Sequence, residues 1–212
     1  VSKADIARKL EWLPAVENNG EGIFIALDMN AIRAWENKPA VKARIEQLER
    51  AFDKWKVQRE STREMPFPGG RYVMLHSLSH LLLTAVALEC GYSASSIKER
   101  IYATEHACGL MLYTGSPDAE GTLGGLVEVG RRIEEHLITA IRLGRLCSND
   151  PVCAEHDPAD EYQNRLRHGA ACHGCLLISE TSCEQRNEYL DRSLVVPTIS
   201  YAGAAFFAGV EV

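Results

Sequence analysis

The chain alternates between segments with a two-residue and segments with a helical hydrophobic period. Gly22-Ile-Phe-Ile-Ala-Leu27 is rich in β-branched and aromatic residues and predicts a strand. Asp28 and Asn30 offer caps for a helical stretch over Ala31–Arg59. In it, Ile45, Leu48, Phe52 and Trp55 recur at helical spacing and are expected to face a core. Pro39 should split this stretch, because its ring disfavours helix at Lys38. A further helix end is expected over Ser2–Leu13, closed by Pro14.

The run Met65-Pro-Phe-Pro-Gly-Gly70 concentrates breaker residues. It suggests an N-terminal helix/strand subdomain over 1–65 and a C-terminal domain over 66–212. A long amphipathic helix is predicted from Tyr72 to Glu89, with Gly91 as its C-cap. A short helix should follow over Ser93–Arg100, then a buried strand over Gly109–Thr114 and a loop over Gly115–Gly125. Another helix is expected over Leu126–Leu143, ending at Gly144. A last helix, capped by Thr181 or Ser182, should cover Cys183–Leu194 and stop at Pro197. The fold class is thus α+β, mostly helical with a small sheet and an irregular cysteine-bearing region.

Composition changes this picture in two ways. The net charge of −6 argues against a protein that coats nucleic acid by bulk electrostatics, but leaves room for a local basic patch. Seven cysteines is a high count, and no charged segment followed by an apolar stretch marks a secretion signal. Metal ligation plus some buried thiols is therefore expected over a disulfide framework, in a cytoplasmic protein. The longest unbroken apolar runs, such as Leu81–Leu83 and Ala202–Ala208, are too short to span a bilayer. The start at Val1, in what reads as mid-helix, suggests a piece of a longer protein.

Cys90 and Cys108 stand alone, whereas Cys147, Cys153, Cys172, Cys175 and Cys183 share one stretch poor in periodic apolar pattern. Cys172-His-Gly-Cys175 is a C-x-x-C knuckle, in which Gly174 would permit the chain to turn around an ion. Cys147-Ser-Asn-Asp-Pro-Val-Cys153 is a looser pair whose Asn-Asp-Pro centre is turn chemistry. Two pairs joined by a loop follow the zinc-ribbon logic, and soft thiolates favour zinc. Cys147, Cys153, Cys172 and Cys175 are the expected ligands, with Cys183 as substitute for Cys153 or else a buried thiol. An iron–sulfur cluster, a redox pair and a set of free buried thiols remain open readings.

Other constellations carry less. His76 and His80 lie one helical turn apart, which is metal spacing, but the glutamate of a zinc protease motif is missing. Flanked by Leu75, Leu78 and Leu81, they read as hydrogen-bonded packing residues. Gly121-Thr-Leu-Gly-Gly125 lacks the Lys-Ser/Thr of a nucleotide loop and reads as tight packing between a strand and a helix. No catalytic residues stand out; a hydrolase using His76, His80, Asp118 or Glu120 is the alternative class. Arg131, Arg132, Arg142 and Arg145, with Arg165, Arg167 and His168 before the knuckle, could form a phosphate-binding face around the metal. The same arginines could equally be a solvated surface balanced by Glu128, Glu134 and Glu135.

Several of these segments together carry a resemblance. They are Leu75-His-Ser-Leu-Ser-His-Leu-Leu82, Glu89-Cys-Gly-Tyr-Ser-Ala-Ser-Ser-Ile-Lys-Glu-Arg-Ile-Tyr102, Leu112-Tyr-Thr-Gly115 and Gly121-Thr-Leu-Gly-Gly-Leu126. The cysteine-bearing motifs, Cys147–Cys153, Ala171-Cys-His-Gly-Cys-Leu-Leu177 and Glu180-Thr-Ser-Cys-Glu184, are the most specific. Over roughly Trp12–Leu194 the chain resembles the MrfA-associated zinc-binding domain family, and looks most like the C-terminal part of the DrmB family of the DISARM anti-phage system. The resemblance implies Zn2+ held by the cysteines, a superfamily 2 helicase partner of the DrmA kind, DNA binding by the pair, and a defence role. It implies no catalysis in this chain, which lacks ATPase motifs.

Overall fold

The computed structural model describes residues 15, 17, 20–59, 66–93, 95–114, 125–160 and 165–211. The expected helix over Ser2–Leu13, most of the Gly115–Gly125 loop, Asp118 and Glu120 lie outside the described residues.

Strand β1 covers Gly22–Ala26, followed by helices α1 (Met29–Glu36) and α2 (Pro39–Gln58). The Asp28 carboxylate caps α1 by accepting from the Asn30 N–H at 2.9 Å. Pro39 occupies the first turn of α2, where its missing N–H has no cost, so the expected split falls there. Leu48 and Phe52 are buried, and Ile45 and Trp55 pack partly buried against the same core.

Helix α3, Gly70–Cys90, runs through the centre and ends at Gly91, whose φ of 67° is left-handed as a C-cap requires. It is not the amphipathic helix expected. Val73 to Leu83 are buried without a break, so even Ser77 and Ser79 face protein. A helix covered on all sides has no reason to carry a polar stripe. Gly70–Glu89 is long and apolar enough to cross a bilayer by composition, yet most of it is buried inside the fold. The count of unbroken apolar residues missed this, because the buried histidines and serines interrupt the run.

The sheet is antiparallel, in the order β1-β3-β2, with β2 at Ile97–Ala103 and β3 at Cys108–Thr114. Ile23 pairs with Leu112 and Ile101 with Leu110. The expected buried strand over Gly109–Thr114 is the central one. The helix expected over Ser93–Arg100 does not form; from Ile97 onward the chain is instead the start of β2. Its true period is two: Ile97, Glu99 and Ile101 all point inward. A glutamate in the buried register disguised the alternation.

The helix expected over Leu126–Leu143 breaks at Arg132 into α4 (Gly125–Arg131) and α5 (Ile133–Gly144). A Cβ on Gly144 would lie 2.8 Å from Leu81, so this glycine lets α5 approach α3 closely. The helix expected over Cys183–Leu194 does not form; only Arg192–Leu194 make a 3-10 turn. Arg186, Asn187 and Tyr189 have φ of 54°, 62° and 61°, which no α-helix contains. One hydrophobic core joins residues on both sides of the breaker run, from Ile23, Trp35 and Phe52 to Leu82, Leu110, Val196 and Ala204. The Trp35 indole donates to the Ala204 carbonyl at 2.8 Å, fixing the C-terminal segment over α1.

Candidate metal centre

Helix α5 delivers the chain to Cys147, and the turns that follow bring it back. The Asp150 N–H donates to the Cys147 carbonyl at 3.2 Å and the Cys153 N–H to the Asn149 carbonyl at 3.0 Å. This is the Asn-Asp-Pro turn expected from sequence. Across from it, the Cys175 and Leu176 N–H groups donate to the Cys172 carbonyl at 3.1 and 3.0 Å, forming the knuckle. Gly174 has no left-handed backbone here. It is required by space: a Cβ would stand 2.6 Å from Ser148 Oγ, so the two loops interlock there.

The four thiols meet. Sγ–Sγ distances are 3.4 Å for Cys147–Cys172, 3.8 Å for Cys153–Cys175 and 3.7 Å for Cys172–Cys175, with all four within 4.8 Å of one another. Tetrahedral zinc with Zn–S bonds of about 2.3 Å sets its sulfur edges at roughly 3.8 Å. The cluster thus has the size and the soft donor set that zinc takes. Burial pushes the Cys147 thiol up to about 11. Burial also opposes ionisation of Cys172, but hydrogen bonds from the Asn149 amide (3.2 Å) and the Cys147 thiol outweigh it and lower Cys172 to about 7. The knuckle thus already carries one thiol close to thiolate.

A buried electrostatic frame holds this loop region on the core. Arg192 donates to the Gly144 carbonyl at 3.0 Å and to the Asp150 carboxylate, which in turn accepts from the Ala154 N–H at 3.1 Å. Asp191, fully buried, takes Arg44 Nε at 2.7 Å, the Ala170 N–H at 3.1 Å and the Ser193 N–H at 2.9 Å. Arg44 also lies over the Tyr201 ring at 3.9 Å. Neither aspartate–arginine pair stands out in sequence, because its members lie 147 and 42 residues apart.

The fifth cysteine of the stretch, Cys183, is placed elsewhere. Its thiol is buried against α3, 3.1 Å from His76 Nε2. The turn that replaced the expected helix points the Gln185 and Asn187 N–H groups at this sulfur, at 3.3 and 3.1 Å. His76 and His80 are wholly buried and hydrogen-bonded, as read from sequence. Between them sits the Glu99 carboxylate, at 2.9 and 3.2 Å from the two Nε2 atoms. Burial disfavours the His76 imidazolium, but Glu99 overrides it and raises His76 to about 10; the imidazoles hold Glu99 well below the usual carboxylate range.

Most of the six arginines considered for a phosphate face are engaged. Arg131 pairs with Glu128 at 2.6 Å, Arg132 with Glu89 at 3.1 Å and Arg167 with Glu188 at 2.5 Å. Arg145 and Arg165 donate to the Val210 and Ala171 carbonyls. Arg142 is exposed and makes no ion pair among the described residues.

Residues 78–176 match the family model described as MrfA Zn-binding domain, a stretch that contains all four clustered cysteines. The chain is also 41% identical over 202 residues to the DISARM protein DrmB of Bacillus paralicheniformis, across 94% of this chain. It spans only 35% of that protein's length.

Proposed function

From a chain that carries the MrfA Zn-binding domain over residues 78–176, we propose a zinc-stabilised accessory domain of a DISARM-like anti-phage complex in the cytoplasm. The observation that carries this reading is the interlocked Cys147, Cys153, Cys172 and Cys175 cluster, with sulfur spacings that suit one tetrahedral ion. The four cysteines hold the ion and Cys183 does not. Zinc supplies the cross-link for a region of turns that cannot hold itself by helix or sheet. The shaped surface so formed docks on a superfamily 2 helicase subunit of the DrmA kind, which supplies the ATPase.

The domain itself is not catalytic. His76 and His80 have no exposed atoms with which to reach a substrate, which supports this over a hydrolase. The C-x-x-C lies in a turn and not at the start of a helix, which supports zinc over a thioredoxin-like redox pair. With five of the six arginines engaged and a net charge of −6, the surface favours protein over bulk phosphate contact. DNA would then be reached chiefly through the partner.

The test compares the full protein with its Cys172→Ser variant. Metal content, co-purification with the helicase subunit and protection of cells against phage are measured on both. The variant is expected to lose metal, helicase association and protection together. A metal-free variant that still binds the helicase and protects would overturn the reading, as would divalent-ion-dependent DNA cleavage by the isolated chain.

A further inference from the structure

The four side chains His76, His80, Glu99 and Cys183 come from three separate segments and converge at one point inside the fold. All four are buried, and their ligand-type atoms lie within 4.8 Å of one another. Buried polar groups are common, but this set has a specific orientation. His76 Nδ1 lies 3.2 Å from the Tyr189 carbonyl, and His80 Nδ1 lies 2.8 Å from the Leu176 carbonyl. A carbonyl only accepts, so each Nδ1 carries the hydrogen. In a neutral ring the Nε2 atom then offers a bare lone pair. Both Nε2 atoms face Glu99 Oε1, at 2.9 and 3.2 Å, and His76 Nε2 also faces Cys183 Sγ at 3.1 Å. Facing a carboxylate, each Nε2 either carries a proton or has a metal cation between, and a divalent ion at this point takes the place of those protons.

The groups around the four complete the pattern. The second Glu99 oxygen is held by Ser79 Oγ, leaving Oε1 turned inward. Two backbone N–H groups support the sulfur, as they would a thiolate, in a turn where Arg186, Asn187 and Tyr189 all adopt left-handed backbone. Orienting bonds from a carbonyl to the far nitrogen of a histidine, and from donors to a carboxylate or thiolate, are what metal ligands require.

We propose that His76, His80, Glu99 and Cys183 form a second metal site that takes a divalent cation, with zinc as the resident ion. Two neutral imidazoles, one thiolate and one carboxylate balance the charge of the ion, so the filled site is neutral within the buried core. Zinc with nitrogen or oxygen at about 2.0–2.1 Å and sulfur at about 2.3 Å needs edges of roughly 3.3–3.6 Å. The present edges open by a few tenths of an ångström to reach this. Four protein ligands and no exposed face make the site closed and structural. It ties the middle of α3 to β2 and to the turn at 183–189. The Leu176 carbonyl that orients His80 directly follows Cys175, so the two sites share one wall. The family match ends at residue 176 and begins at 78, leaving His76 and Cys183 outside it.

Elemental analysis of the full purified protein tests this, together with the His80→Asn and Cys172→Ser variants. Two zinc ions per chain are expected in the wild type, and one in each variant. One zinc in the wild type, lost in Cys172→Ser and retained in His80→Asn, overturns the second site while leaving the cysteine site standing. If His80→Asn does not fold, zinc-edge X-ray absorption of the wild type decides. Mixed sulfur and nitrogen or oxygen ligation supports the site, and sulfur alone overturns it.

Discussion

Asp191 shows how much one buried side chain can hold. It anchors Arg44 from α2, the Ala170 N–H beside the knuckle and Ser193 in the C-terminal 3-10 turn. Breaking a buried ion pair from one side leaves the other charge without compensation, at a cost of about 3–5 kcal/mol. Asp191→Ala should therefore lower the stability of the protein by that order in urea melts; a change under 1 kcal/mol would mean that water reaches Arg44. His168 gives a prediction in pH. Burial disfavours its imidazolium, Arg165, His156 and Arg167 add repulsion, and its value falls to about 4 from 6.5. The nearby Glu188, 3.5 Å away, is itself pushed up by burial. Between these two values the unfolded chain binds a proton that the folded chain refuses. His168 therefore costs nothing above pH 6.5, and destabilises progressively as pH falls toward 4, by about 3 kcal/mol at most. His168→Gln should flatten the slope of stability against pH in this window relative to wild type; parallel slopes would refute the assignment.

At the scale of elements, the cysteine loops depend on their ion and α3 does not. Residues 145–160 and 165–191 contain no α-helix and only one isolated bridge, between His168 and Leu190. Cys175→Ser should therefore open these loops first. Limited proteolysis is expected to cut within 147–175 in the variant while leaving α3 and the sheet protected, since they are held mainly by the shared hydrophobic core rather than by the Cys147–Cys175 cluster. Uniform cutting throughout the chain would show that the loops and the core unfold as one. The interlock at Gly174 belongs to the same scale. Gly174→Ala forces a contact of 2.6 Å with Ser148 and should weaken metal retention against a chelator, with little change in the sheet.

For the whole molecule, the metal is part of the folding free energy. Binding to a structural cysteine site contributes on the order of 10 kcal/mol at neutral pH, comparable with the entire stability of a domain this size. Chelation should release about four thiols from the cluster at Cys147–Cys175 and lower the melting temperature well beyond any single side-chain substitution. Retention of the native melting temperature after complete zinc removal would show that the hydrophobic core alone carries the fold.

Much of this was legible locally. The strand at Gly22–Leu27, the split at Pro39, the stop at Gly91 and the two cysteine pairs follow from short-range rules, because caps, breakers and C-x-x-C spacing act within a few residues. The resemblance to the zinc-binding family rests on the same local motifs. What the sequence did not reveal depends on who meets whom across the chain. Glu99 made β2 look like a helix, because its inward position makes sense only once His76, Ser79 and His80 of α3 face it. Cys183 looked like a spare ligand for the neighbouring cysteines. The turn through Arg186, Asn187 and Tyr189 carries it to α3, over a hundred residues earlier, and a local pattern holds no record of that distance. Spacing along the chain determined the four-cysteine cluster; packing around α3 decided the second one, since only burial makes a lone glutamate, two histidines and a thiol answer for one another's charge.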